Sequence, residues 1–226
     1  PRSVANLVGK RTKAIVAVHT FGVAARIEEL RGFGVPVIED CAHGIGRGSM
    51  GGKADLAITS LYATKLLGAG EGGAVLGDDD ELLDTVAAMR DYTDQNSSPI
   101  RMNDKMTDLS AALARVQLAK IDTLLEQRHA HAVSYDLAFA DLASGAMVLP
   151  FQDPQRIWYR YAIELRKHPV DEVIACLGEE GIGAAQPVWR WDAVDRNLPN
   201  ADQAYRTLVS IPLYPTLTEA ERHQVH

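Results

Sequence analysis

Four short apolar runs separated by glycine-rich stretches set the terms on which this chain can fold. Ala14–His19, Val35–Ile38, Leu56–Leu61 and Ala74–Leu76 are each a few residues long and rich in branched side chains. Such runs read as strands. Between the first two, Gly22–Gly32 carries Val23, Ile27 and Leu30 at helical spacing. Strand, helix, strand in that order predicts a βαβ unit of a parallel sheet. Gly44–Gly52 holds five glycines in nine residues and predicts a loop. Gly68–Gly73 is a second such stretch. Gly70, Gly72 and Gly73 are read there as demands of the backbone path. The stretch is not a P-loop.

Asp78–Asp80 begins a helix, with three acids suited to the positive end of its dipole. Thr107 is a good N-cap for a helical pattern running to about Leu142, either one long helix or two joined end to end. Past Gly145 the character changes. Short strands are expected at Met147–Leu149 and Ile157–Leu165, and helices at Val170–Glu180, Ala201–Leu208 and Glu219–Val225. The expected organisation is residues 1–143, with a long connecting helix, and a smaller α/β domain at 144–226.

The formal charge of −7 over 226 residues repels phosphate backbones and argues against nucleic-acid binding. The two cysteines, Cys41 and Cys176, form no CxxC or Cys/His cluster. A disulfide scaffold and a metal site are therefore not expected, and the reading is a reducing cytoplasmic compartment. The apolar runs are too short to span a bilayer.

In parallel α/β sheets, ligands bind outside the carboxyl ends of the strands. Asp40 closes the second run, Ser60 lies at the end of the third, and Lys65 follows it. A lysine that forms a Schiff base, a carboxylate that holds a ring nitrogen protonated and a hydroxyl for a phosphate are what pyridoxal phosphate needs. The same three types also meet at strand ends by chance. The wording of the sequence is more specific. AIVAVHTFG, VPVIEDCAHGIG, DLAITSLYATKLLGAGEGGAVL, RMNDKMTDLSAALARVQLAKID and SIPLYPTLTEAE follow one another in order. Together they resemble the DegT/StrS-type sugar aminotransferases, enzymes of fold type I that use pyridoxal phosphate. The resemblance covers nearly the whole chain.

That resemblance implies a large-domain α/β fold with a mostly parallel sheet, here partial, plus a small C-terminal α/β domain. It implies roles by position. Lys65 matches the Schiff-base lysine and Asp40 the partner of the pyridine nitrogen. His43 matches a His-or-Gln position beside the ring, and Ser60 a phosphate contact. Asn103 matches an asparagine that reaches the phosphate across a dimer interface. Each has a structural alternative: solvated loop lysine, turn cap, core histidine, buried strand serine, turn residue. His19 is read as structural. Trp158, Tyr159, Trp189 and Trp191 are read as packing residues.

The activity implied is amino transfer from an amino acid to a nucleotide-linked keto-sugar, by a homodimer. Some relatives instead dehydrate sugars, often with histidine in place of the lysine. Lys65 is retained, which favours transamination. The family's chains begin well upstream of Pro1, with a phosphate-binding turn and an aromatic ring stacked on the cofactor. The sequence lacks both, so a fragment of a longer enzyme and a short, inactive or regulatory protein on the same fold are both open. Without those groups the expectation is weaker cofactor binding, by several kcal/mol at roughly 1.5–3 per charge-assisted bond.

Overall fold

The branched residues at 15–18 and 37–38 fit a pleated, packed surface, and in the computed structural model they lie in neighbouring strands. The structure describes residues 1–46, 50–91, 102–187 and 198–225. The chain groups into two compact units. One is Pro1–Asp122 with Gln155–Ile157. The other is Thr123–Pro154 with Trp158–His226. The expected break after residue 143 differs from this division, because the long helix starting at Ile121 packs with the later residues.

The first unit begins with helix α1 (Arg2–Ala5) and strand β1 (Ile15–Val18). A 3-10 turn at Thr20–Gly22 leads to α2 (Ile27–Arg31) and β2 (Val37–Asp40). Strands β3 (Leu56–Ser60) and β4 (Gly73–Leu76) complete a sheet of order β1-β2-β3-β4. β1, β2 and β3 are parallel and β4 is antiparallel to β3, so the sheet is mostly parallel as expected. Helices α3 (Asp80–Arg90) and α4 (Asp108–Leu118) follow. Asp79 caps α3 by accepting from the Glu81 and Leu82 amides, and the Thr107 hydroxyl caps α4 by accepting from Ser110.

Alternation along the strands gives the sheet two different faces. On one, Ala17 and Val37 pack against Ile27 and Leu30 of α2. Each large side chain buried there contributes about 1.5–3 kcal/mol. The other face carries the row Val18, Asp40, Ile58 and Val75, one residue from each strand in register. Asp40 is thus the acid in an apolar row.

The expected helix over Gly22–Gly32 shrinks to Ile27–Arg31. Phe21 and Gly22 both have positive φ, and the Ala25 amide is taken by the His19 ring, so the segment before Ile27 cannot wind.

The second unit holds α5 (from Ile121 to Ala138), β5 (Met147–Val148), β6 (Tyr161–Leu165) and α6 (Val170–Glu179). Helix α7 (Pro199–Thr207), β7 (Leu208–Ile211) and α8 (Glu219–Val225) follow. The sheet is antiparallel, of order β5-β6-β7. Its core gathers Tyr135, Phe139, Trp158, Tyr161, Val209 and Ile211. Trp158 stacks on Tyr161 at 5.6 Å, which makes it a packing residue as expected. Trp189 and Trp191 lie outside the described residues. The 107–142 helical stretch is two helices, broken at Ala119 and Lys120.

Two further expectations are corrected. The strand expected from Ile157 starts at Tyr161: the Ile157 amide bonds Gly22, and the Trp158 and Tyr159 carbonyls accept from Arg128. Leu208–Ile211, taken at its start for the end of a helix, is the strand β7. Its branched residues before Pro212 were the available sign.

Candidate active site

β2 and β3 are adjacent and parallel, with Asp40 beside Ile58. Ser60 therefore lies two residues further along the next strand, a step of roughly 6–7 Å. The two side chains leave the same end of the sheet. Asp40 is half-buried, and its Oδ1 accepts the Ala42 amide at 2.9 Å. Ser60 Oγ accepts the Tyr62 amide at 3.3 Å, which leaves the hydroxyl proton to be donated to an anion.

Lys65 sits half-buried in the loop that leaves β3. That loop is tightly closed. Leu61 donates to Gly72, Ala69 to Leu61, Ala63 to Gly70 and Lys65 to Tyr62, all at 2.8–2.9 Å. A Cβ on Gly68 would meet the Ala63 carbonyl oxygen at 2.5 Å, so the loop folds back on itself only with glycine there. The backbone under the lysine is thereby fixed, in contrast to a loosely solvated loop.

His43 lies in the turn directly after β2, its ring stacked near-parallel on Phe21 (6.1 Å, 15°). Phe21 is the one described non-glycine residue with positive φ (54°). Backbone strain of this kind gathers at functional sites, at a cost of order 1–3 kcal/mol. Sequence reasoning passed over Phe21, although its place before Gly22 and after a strand end was a sign. Asn103 is exposed. Its neighbours Met102 and Asp104 bond the Met89 and Arg90 carbonyls at the end of α3, and the same segment lines a cavity with Ile58 and Thr59 of β3. Asp40, Ser60, Lys65 and His43 share one end of the sheet; Asn103 is not brought to it by this segment's bonds.

Behind Asp40, on the opposite face, lies a buried cluster of His19, Glu39 and Cys41 whose ligand atoms fall within 4.8 Å of one another. Its geometry is that of a hydrogen-bond network, not a metal centre. Glu39 Oε1 accepts the amides of Lys53 and Ala54, and Oε2 accepts Gly51 and the His19 ring. His19 Nδ1 accepts the Ala25 amide. Burial opposes the Glu39 charge, but the three amides and His19 outweigh it and hold its carboxyl below the ordinary range. Burial, with the charges of Glu39 and Asp40, pushes the Cys41 thiol up to about 12, so the thiol is protonated at neutral pH.

The donor set fits pyridoxal phosphate. It offers a carboxylate for a ring nitrogen, an amine on a fixed loop for an aldehyde and a hydroxyl for a phosphate. No helix among the described residues is long and apolar enough to cross a membrane.

Comparison with known proteins gives a consistent picture. A family model described as the DegT/DnrJ/EryC1/StrS aminotransferase family matches residues 1–226. The chain is 31% identical to the pleiotropic regulatory protein of Geobacillus stearothermophilus, covering all of this chain and 66% of that one. DesV of S. venezuelae, solved in complex with a ketimine intermediate, superposes with a TM-score of 0.89 at 27% identity, over 98% of this chain and 65% of DesV. A DegT DnrJ EryC1 StrS aminotransferase from Brucella abortus gives 0.85 at 27%, over 98% of this chain and 65% of that one. The chain thus spans just under two thirds of the length of these relatives, and its fold is that of fold type I aminotransferases.

Proposed function

The chain belongs to the DegT/DnrJ/EryC1/StrS aminotransferase family, and from that premise we propose that it carries the pyridoxal-phosphate site of a sugar aminotransferase, with Lys65 bonding the cofactor. The observation that carries the reading is that Asp40 and Ser60 close two adjacent parallel strands and Lys65 lies in the tightly bonded loop that leaves the second.

When bound, pyridoxal phosphate supplies an aldehyde that condenses with amines and a protonated ring that draws off electrons. Asp40 would hold the proton on the ring nitrogen. Ser60 would donate its hydroxyl proton to a phosphate oxygen. His43, stacked on Phe21, would lie beside the ring. Lys65, once exchanged for the substrate amine, would move the proton at the substrate carbon as general base. The substrates in this reading are an amino-acid donor and a nucleotide-linked keto-sugar, in the cytoplasm. Asn103 would serve the phosphate of a partner subunit in a homodimer, which accords with its exposure.

The test is direct. Pyridoxal phosphate is added to the purified chain, the absorbance recorded, and the product reduced with borohydride and mapped by mass spectrometry. A visible band with the label on Lys65 supports the reading. A label scattered over surface lysines, on this chain and on one extended upstream, overturns it.

A second reading is favoured by the similarity to a protein named as a pleiotropic regulator. On that reading the chain binds cofactor or sugar without turnover. A Lys65 label with no spectral response to any amino donor would select it.

A further inference from the structure

We propose that the buried His19–Glu39 pair is a positioning device for Asp40, fixing where that carboxylate meets the cofactor while itself touching neither cofactor nor substrate. The role assigned to Asp40 rests on the cofactor reading above.

Glu39 precedes Asp40 in β2, so the two side chains leave opposite faces of the sheet. Glu39 and His19 are both 0% exposed. The carboxylate is filled by four donors from two other stretches of chain. Gly51, Lys53 and Ala54 belong to the segment that leads into β3, and His19 follows β1. His19 acts twice. Its ring bonds Glu39 at 2.9 Å, and its backbone amide donates to the Asp40 carbonyl at 3.1 Å. The Ala25 amide at Nδ1 leaves the ring proton on Nε2, aimed at Glu39. Asp40 is thus held at its carbonyl by His19, through the preceding side chain by the carboxylate network, and at its own carboxylate by Ala42. The same network fixes the start of β3, whose far end is Ser60. A site group must be held within about half an ångström to work, and fixed supporting bonds achieve this.

The chemistry dictates the variants. Glutamine at 39 cannot substitute, because its NH2 group would face a donor. Glutamine at 19 can, because its NH2 donates to Glu39 and its oxygen accepts from Ala25. Leucine at 19 does neither.

His19→Gln, His19→Leu and Glu39→Gln are made in the full chain. Amide hydrogen exchange is followed by NMR, and the visible absorbance of added pyridoxal phosphate is followed against pH. In His19→Leu and Glu39→Gln, exchange at Ala42 should quicken about tenfold or more, while β5–β7 stay unchanged. The pH midpoint of the absorbance should move in both and remain in place in His19→Gln. A folded His19→Leu with wild-type exchange at Ala42 and a wild-type midpoint overturns the proposal. So does a His19→Gln as impaired as His19→Leu. If Glu39→Gln fails to fold, the two His19 variants decide. If neither the unmutated chain nor one extended upstream takes cofactor at Lys65, the functional reading fails, and exchange at Ala42 alone decides whether the pair positions Asp40.

Discussion

Three residues show how position decides what a side chain can do. Gly22 has φ near 80°, and a Cβ there would overlap the Ile157 carbonyl oxygen. Gly22→Ala should lose roughly 3 kcal/mol or more, read as a drop in the denaturation midpoint, because strain and overlap add. Asp40→Asn keeps the size but not the charge. On the cofactor reading it should lower the transamination rate by about 10²–10⁴ at little change in melting temperature. Glu39 gives a pH signature. Its folded carboxyl titrates below the ordinary value of 4.5, so the unfolded chain binds more protons between those two values. Stability from this group is complete above that ordinary value and is lost as pH falls through the lowered one. The difference in unfolding free energy between the native chain and Glu39→Gln should be greatest near neutrality and shrink on acidification.

Among the elements, α5 is the one whose face does the most. Arg128, His131 and Tyr135, spaced by three and four residues, bond the carbonyls of Leu213, Pro215 and Pro212. The two prolines have no amide to give a ladder, so that segment is held by side chains. Arg128 also bonds the Trp158 and Tyr159 carbonyls. Burial lowers its pKa to about 10, still far above neutral, so the guanidinium stays charged and is answered by carbonyl dipoles. Arg128→Met should cost roughly 2–4 kcal/mol in denaturant unfolding, since several carbonyls lose a charged donor together. Thr107→Ala, which removes the α4 cap, should cost only about 1 kcal/mol. The cap was legible beforehand because it depends on a residue and its third neighbour. The carbonyl clamp was not, because its partners are 30 to 85 residues apart.

At the scale of the molecule, apolar side chains remain on the surface. Leu109, Leu113 and Val116 form a stripe on α4, with Leu109 84% exposed, and Val16, Val18, Ile58 and Val75 line the open face of the first sheet. Apolar area of this kind marks contact surfaces. With the exposed Asn103, it leads us to expect a homodimer. Light scattering at micromolar concentration should give twice the chain mass, and a monomer would count against the assignment of Asn103 to a partner's phosphate. By itself the sequence determined the strands of the first sheet, the acidic start of α3 and the cap of α4, and it placed Asp40 and Ser60 at strand ends with Lys65 just after. Each of these is written in a few neighbouring residues, as alternation, a capping pair or a polar end to an apolar run. The tertiary structure decided that β4 runs antiparallel, that Leu208–Ile211 is a strand, and that His19 and Glu39 meet behind Asp40. Those outcomes depend on which distant stretches fill a buried carboxylate and a sheet edge. Hydrogen bonds between residues far apart in the chain leave no period in the sequence by which to foresee them.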